Sequence, residues 1–195
     1  MKILFILLGV LVLAFIAVQV FAISTQSDIE TYSYKVIKTY DKFEIRSYEA
    51  TLFTSVKLPT NTYKESSSEG FSILAGYIFG GNDKEEKIAM TSPVAMSLED
   101  SMTVMFMVPK ENKRETLPNP NDPNIEFREE PAKTAAAITF GGWANDEKIK
   151  NYKKKLALAL DAEGIKYTNR FYFLGYNAPY ELINRKNEII VELLP

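Results

Sequence analysis

The sequence predicts an α+β domain: two helices packed on an antiparallel sheet, built from a β-β-α-β-β unit that occurs twice. Three observations carry this. "FEIRSYEA" (Phe43–Ala50) returns as "IEFREEPA" (Ile125–Ala132) at an offset of 82, with apolar-Glu-apolar-Arg and a final Ala in common. Each copy is followed by an alternating run and then an amphipathic helix closed by glycine. Each helix is followed by two further strand-like runs. Neither unit is large enough to bury its helix's apolar face alone, so the two halves belong to one domain.

The elements follow in order. "TLFTSVKL" after the first copy alternates as a strand. Thr62-x-x-Glu65 then offers a capping box. Tyr63, Ser67, Gly70, Phe71, Leu74, Tyr77 and Ile78 recur at helical spacing, and Gly80-Gly81 ends the helix. Strand-like runs cover Lys87–Leu98 and Met102–Pro109. "KENKRETLPNPNDPN" (Lys110–Asn124), rich in proline and asparagine, is the loop between the halves. After the second copy, "KTAAAITF" is a strand and Gly141-Gly142 a turn. A helix from about Asn145 to before Gly164 carries Ile149, Tyr152, Leu156 and Leu160 on one face. Its five lysines (Lys148, Lys150, Lys153, Lys154, Lys155) form a solvated face. Tyr167–Tyr176 and Glu188–Leu193 complete the second unit.

Composition narrows the chemistry. The 195 residues are 46% apolar and 25% charged with net charge −2, enough for one well-buried core and without a basic footprint for nucleic acid. The chain has neither cysteine nor histidine, which excludes disulfides, thiolate nucleophiles, imidazole bases and imidazole ligands. A carboxylate couple at Glu129-Glu130 is poor, because neighbours on a strand face opposite ways. The expectation is a binding protein and not an enzyme.

Residues 1–23 are of another kind. Lys2 precedes the apolar run Ile3–Ile23, whose sole polar residue is Gln19, long enough to span a bilayer as a helix. Val20-Phe21-Ala22 also fits signal cleavage after Ala22. The run's length favours an uncleaved anchor. Under either reading the remainder lies on the extracytoplasmic side, membrane-anchored, or secreted or periplasmic if cleaved. Residues 24–33 are expected to be a polar linker and 34–195 the domain.

Five of the six methionines fall between Met90 and Met107. They are either flexible core filler or the lining of a gap for an apolar ligand. Ile88, Met90, Val94 and Met96 share one parity. Met102, Val104, Phe106 and Val108 share another, with Met105 and Met107 opposed, so the second strand is expected to be buried on both sides.

"KIAMTSPVAM" (Lys87–Met96), "GYNAP" (Gly175–Pro179) and "RKNEI" (Arg185–Ile189), together with the turns "FGGND" and "FGGWA", resemble the SOUL haem-binding protein family from about Tyr34 to Leu193. The resemblance implies a distorted antiparallel barrel with two flanking helices and a cleft near the first helix that holds haem or a related porphyrin. With no histidine, only the apolar mode of binding is open, with cations at the propionates. The candidate ligand-binding residues are Phe71, Leu74, Ile78 and Met90 for the macrocycle, and Lys64 and Arg170 for its carboxylates. An axial ligand from Met or Tyr remains open. Arg185 is expected to brace the final turn and Trp143 to anchor the second helix. The alternative is a binding domain for another amphipathic small molecule, similar to bacterial effector-binding domains.

Overall fold

The computed structural model describes residues 2–26, 29–60, 62–99 and 101–194. Among them, three helices and nine strands run α1 (Lys2–Gln26), β1 (Tyr34–Thr39), β2 (Glu44–Tyr48), β3 (Thr51–Lys57), α2 (Tyr63–Ile78), β4 (Val94–Ser97), β5 (Thr103–Met107), β6 (Ile125–Glu130), β7 (Lys133–Gly141), α3 (Asp146–Ala162), β8 (Tyr167–Gly175) and β9 (Lys186–Leu193). All nine strands form one antiparallel sheet in the order β1-β2-β7-β9-β8-β4-β5-β3-β6. It curls into a half-barrel. Strands β1 and β6 are its two edges, so the barrel does not close.

This order is symmetric about its centre. Exchanging β2 with β6, β3 with β7, β4 with β8 and β5 with β9 leaves the eight-strand order unchanged, with β4 beside β8 at its centre. Register follows the same rule. Glu44–Tyr48 faces Lys133–Ala137, and Glu126–Glu130 faces Thr51–Ser55, which is the same pairing moved 82 positions along the chain. Arg46 opposite Ala135 and Arg128 opposite Phe53 therefore stand on equivalent rungs. Strand β1 lies outside this scheme. Its "YKVIKT" alternates weakly and is mostly exposed, so its sequence carries little strand signal.

Both helices pack on one face of the sheet. Leu74, Tyr77 and Ile78 of α2 and Ile149, Leu156 and Leu160 of α3 share a core with Val56, Met96, Val104, Phe106, Phe140, Phe173, Ile189 and Val191. Helix α2 approaches β5 closely at Gly70, where a Cβ would overlap the Val104 side chain. At the N-terminus of α2 the capping box takes another form. The Thr62 hydroxyl donates to the Glu65 carboxylate at 3.1 Å, and the Tyr63 N–H is met by the Asp146 carboxylate from α3. Helix α3 is capped by Asn145, whose side chain accepts from the Lys148 N–H at 2.8 Å. Gly164, at φ 68°, follows its end.

Of the expected strand Lys87–Leu98, only Val94–Ser97 is strand. The preceding "MTSP" is a junction. The Thr91 hydroxyl donates to the Met107 carbonyl at 2.7 Å, the Ser92 hydroxyl to the Tyr176 carbonyl at 3.1 Å, and the Ser92–Pro93 peptide is cis. These bonds replace the ladder that residues 87–90 would otherwise join.

The expected linker is partly structured. Residues 27 and 28 lie outside the description, but Thr31 pairs with Ser92 and Tyr32 is only 5% exposed against the sheet face away from the helices. Helix α1 extends to Gln26. The Gln19 amide bonds the Tyr180 carbonyl and the Leu182 N–H, each at 3.2 Å, which joins α1 to the β8–β9 loop. In α1, side chains are described at Lys2–Leu13, Phe15, Val18 and Gln19. Among the described residues, no helix is long and apolar enough to cross a membrane.

Candidate functional site

The helix-side candidates divide by burial. Leu74 and Ile78 are buried in the main core. Phe71 and Met90 are half-buried and pack on the edge of that core, Phe71 meeting Phe106 edge-on at 5.3 Å between ring centres. Lys64, on the first turn of α2, is exposed, and its ammonium has no ion-pair partner among the described residues. Lys64, Phe71 and Met90 are thus the candidates that retain accessible surface, with Leu74 and Ile78 behind them. Met96, Met102, Met105 and Met107 are core filler. The second strand is buried on both sides: Val104 and Phe106 face the helices, while Met105 and Met107 face away.

The structure does not bring Arg170 to this group. It shares a face with Tyr172, on the side away from the helices. Its guanidinium is occupied, donating to the Tyr172 hydroxyl at 3.1 Å and pairing with Glu192 at 3.1 Å and Glu130 at 3.8 Å. Alternation along β8, with Phe171 on the opposite face, could have flagged this.

Residues of the quoted motifs hold the closing loop. The Arg185 guanidinium donates to the carbonyls of Ala178 at 2.9 Å, Glu181 at 2.6 Å and Asn177 at 3.3 Å, which is the bracing expected of it. Trp143 is exposed with the Arg185 guanidinium 4.0 Å above its ring, so it stacks under the loop's bracing cation and does not anchor α3 in the core. Tyr180, Leu182 and Ile183, in the same β8–β9 loop as Arg185, are exposed, and were not singled out from sequence because turn segments carry no apolar period.

The face away from the helices was also not legible as a unit. Tyr32, Tyr48, Phe53, Ala95, Met105, Met107, Ala135, Ala137, Tyr172, Leu174 and Ile190 form a second apolar cluster there. Two charged groups are set into it. The Glu188 carboxylate is fully buried, accepting from Arg46 at 2.9 and 3.1 Å, the Tyr176 hydroxyl at 2.7 Å and the Thr139 hydroxyl at 3.0 Å, with the Lys186 ammonium at 3.2 Å. Burial alone would raise its pKa. The Arg46 hydrogen bonds and charge, with help from Tyr176 and Lys186, outweigh it and hold the carboxyl below the usual range. Burial likewise pushes the Tyr176 hydroxyl up, and the Glu188 charge adds to it. Glu130 behaves as Glu188 does: burial opposes ionisation, but Lys133 at 2.7 Å and Arg128 at 2.6 Å keep its pKa lowered.

Two cavities among the described residues lie away from α2. An open cleft of about 470 Å³ lies between the β2–β3 turn and the inter-half loop, lined by Thr51, Lys113, Arg114, Glu115 and Glu129 among others. A small one of about 10 Å³ lies under Tyr32 on the second face.

A duplicated strand scheme, a single curled sheet with both helices on one face, and the Met-Thr-x-Pro-Val, Gly-Tyr-x-x-Pro and Arg-x-Asn-Glu junctions together define a class. The family described as SOUL heme-binding protein matches residues 29–192, and the chain belongs to it. Among curated proteins it is 28% identical over 156 residues to mouse Heme-binding protein 2, covering 75% of this chain and 76% of that protein. To Heme-binding protein 1 of Xenopus laevis it is 29% identical over 156 residues, covering 75% and 81%. To that of Sus scrofa it is 26% identical over 173 residues, covering 83% and 91%. Among solved structures, the EcmrR C-terminal domain aligns with TM-score 0.62 at 13% identity, over 83% of this chain and 98% of that one. A hydrolase from Listeria innocua aligns with TM-score 0.56 at 9% identity, over 81% and 94%. At those identities the two structures share the fold and no more.

Proposed function

We propose that this chain binds haem or a related tetrapyrrole on the α2 side of the sheet, without imidazole ligation. The observation that carries this is the family match across 29–192, in a chain whose curated relatives are named for haem binding. Phe71 and Met90 offer half-buried apolar surface to a macrocycle face, and Lys64, exposed on the first turn of α2, offers a cation to a propionate. Arg170 takes no part. The energy of binding comes chiefly from covering the macrocycle's apolar faces. The role is binding and not catalysis. Titration of the purified chain with haem tests it: a saturable Soret change supports the proposal, and its absence favours another amphipathic small molecule as the ligand.

The domain is, in this reading, extracytoplasmic, and the apolar N-terminal segment is what directs it there. Ile3, Leu4, Phe5, Leu11 and Leu13 are exposed on a 25-residue helix, roughly 37 Å long at the α-helical rise. Lys2 stands at its start, and Gln19, two turns before its end, bonds the β8–β9 loop. Protease accessibility in intact spheroplasts tests this placement. Complete protection of the domain would refute it.

A further inference from the structure

The face away from the helices carries a feature that a packed core would not need. Tyr32 lies in the middle of it, its ring 4.8 Å from Tyr48 and edge-on to Phe53 at 5.5 Å. Its hydroxyl is buried and has no hydrogen-bond partner among the described residues. A phenylalanine would fill the same space without stranding a donor. Tyr32 lines the small cavity, whose other walls are Phe53, Ala95, Met105, Glu130, Lys133 and Tyr172 among others. Ala95 is the small side chain in its lining.

The segment bearing Tyr32 is joined to the sheet through a few named contacts. It is held by backbone bonds from Tyr32 to Ser92 at 3.0 Å, from Ser92 to Glu30 at 2.9 Å and from Glu49 to Ser33 at 3.4 Å, and by Lys110. It is not part of any strand. An aromatic ring on a short tether thus occupies a hollow that the sheet itself forms.

We propose that this hollow is a second binding site, distinct from the α2 side, for a neutral planar aromatic molecule bearing a hydrogen-bond donor, and that Tyr32 is its resident plug. The ring is recognised by the aromatic and methionine walls, as the Tyr32 ring is. The donor is recognised by Glu130, 4% exposed, whose two oxygens each accept one bond, from Arg128 and Lys133, and retain capacity for another. Charge selects against cations, because Arg128, Lys133 and Arg170 already surround this single carboxylate. A ligand enters by displacing Tyr32.

The test uses the full chain and 4-fluorophenol as probe, followed by 19F NMR. Y32A binds it at least tenfold more tightly than the native chain, and Y32F, with the plug retained, binds no more tightly than native and melts higher. Introducing A95F into Y32A returns the affinity to the native level. The ammonium analogue 4-fluorobenzylamine binds Y32A at least tenfold more weakly than the phenol. Haem titration of Y32A is unchanged within twofold, which separates this site from the α2 side whether or not haem binds there. Equal affinity of folded Y32A and native chain, or preference for the ammonium, overturns the proposal. Should Y32A fail to fold, Y32W in a W143F background replaces it. Its introduced indole emission shifts to the red as 4-fluorophenol expels it, and an unmoved emission at saturating probe overturns the proposal.

Discussion

Replacing Arg46 with methionine isolates the charge at the centre of the sheet. The guanidinium is 3% exposed and makes two bonds to a carboxylate that is fully buried. Methionine keeps most of the volume and removes both bonds. Glu188 is left with two hydroxyls and one lysine, and breaking one side of a buried pair costs about 3–5 kcal/mol. At roughly 2–4 °C per kcal/mol for a domain of this size, the melting temperature falls by about 10 °C. The pH dependence changes sign as well. In the native chain the Glu188 pKa is lowered on folding, so its contribution is fully present above the unfolded carboxylate value and is lost as pH falls through the folded value. In R46M, burial dominates and the folded pKa rises above the unfolded one. The variant should then gain stability as pH falls from 7 toward 5, where the native chain does not. Thermal melts at pH 5 and 7 of native, R46M, E188Q and the double variant read all of this. A loss under 1 kcal/mol in R46M, or additive single losses in the cycle, would refute the reasoning.

Other expectations follow from single contacts. Gly70→Ala should destabilise by about 1–3 kcal/mol despite alanine's better helix propensity, since its methyl overlaps Val104; denaturant melts check it. Asn145→Ala should cost about 1 kcal/mol through loss of the α3 cap, read the same way. Met90→Lys should abolish haem binding while the fold survives, because Met90 sits at the core's edge. Leu74→Glu should unfold the domain outright, as a buried unpaired charge is costly; circular dichroism beside the Soret titration separates the two. Lys64→Ala should weaken haem binding only a few-fold, as an exposed ion pair contributes little.

The parts legible in the sequence were those written as period and punctuation. The helical stripe from Tyr63 to Ile78, its glycine stop and the Asn145 start emerge as expected because each signal is local. The offset of 82 anticipates the sheet's order because equivalent strands repeat both pattern and register. Strand β1 was not legible because its exposed "YKVIKT" alternates weakly, and the docking of Tyr32 because it depends on residues far along the chain, such as Phe53 and Tyr172. Pro93 and the side-chain bonds of Thr91 and Ser92 delay the start of β4, which alternation alone does not reveal. For the site, residue type was legible and facing was not. Lys64 and Arg170 are both plausible propionate partners by chemistry, yet the sheet lies between the faces they occupy.

The central claim is tetrapyrrole binding through apolar contact in a chain without imidazole. Titrating one preparation in parallel with haem and with metal-free protoporphyrin tests it most directly. The account predicts saturable binding of both, with affinities within about tenfold, or roughly 1.4 kcal/mol. Haem bound a hundredfold more tightly than protoporphyrin would show an axial bond from Met, Tyr or Lys and contradict the apolar mechanism, and binding of neither would contradict the function itself.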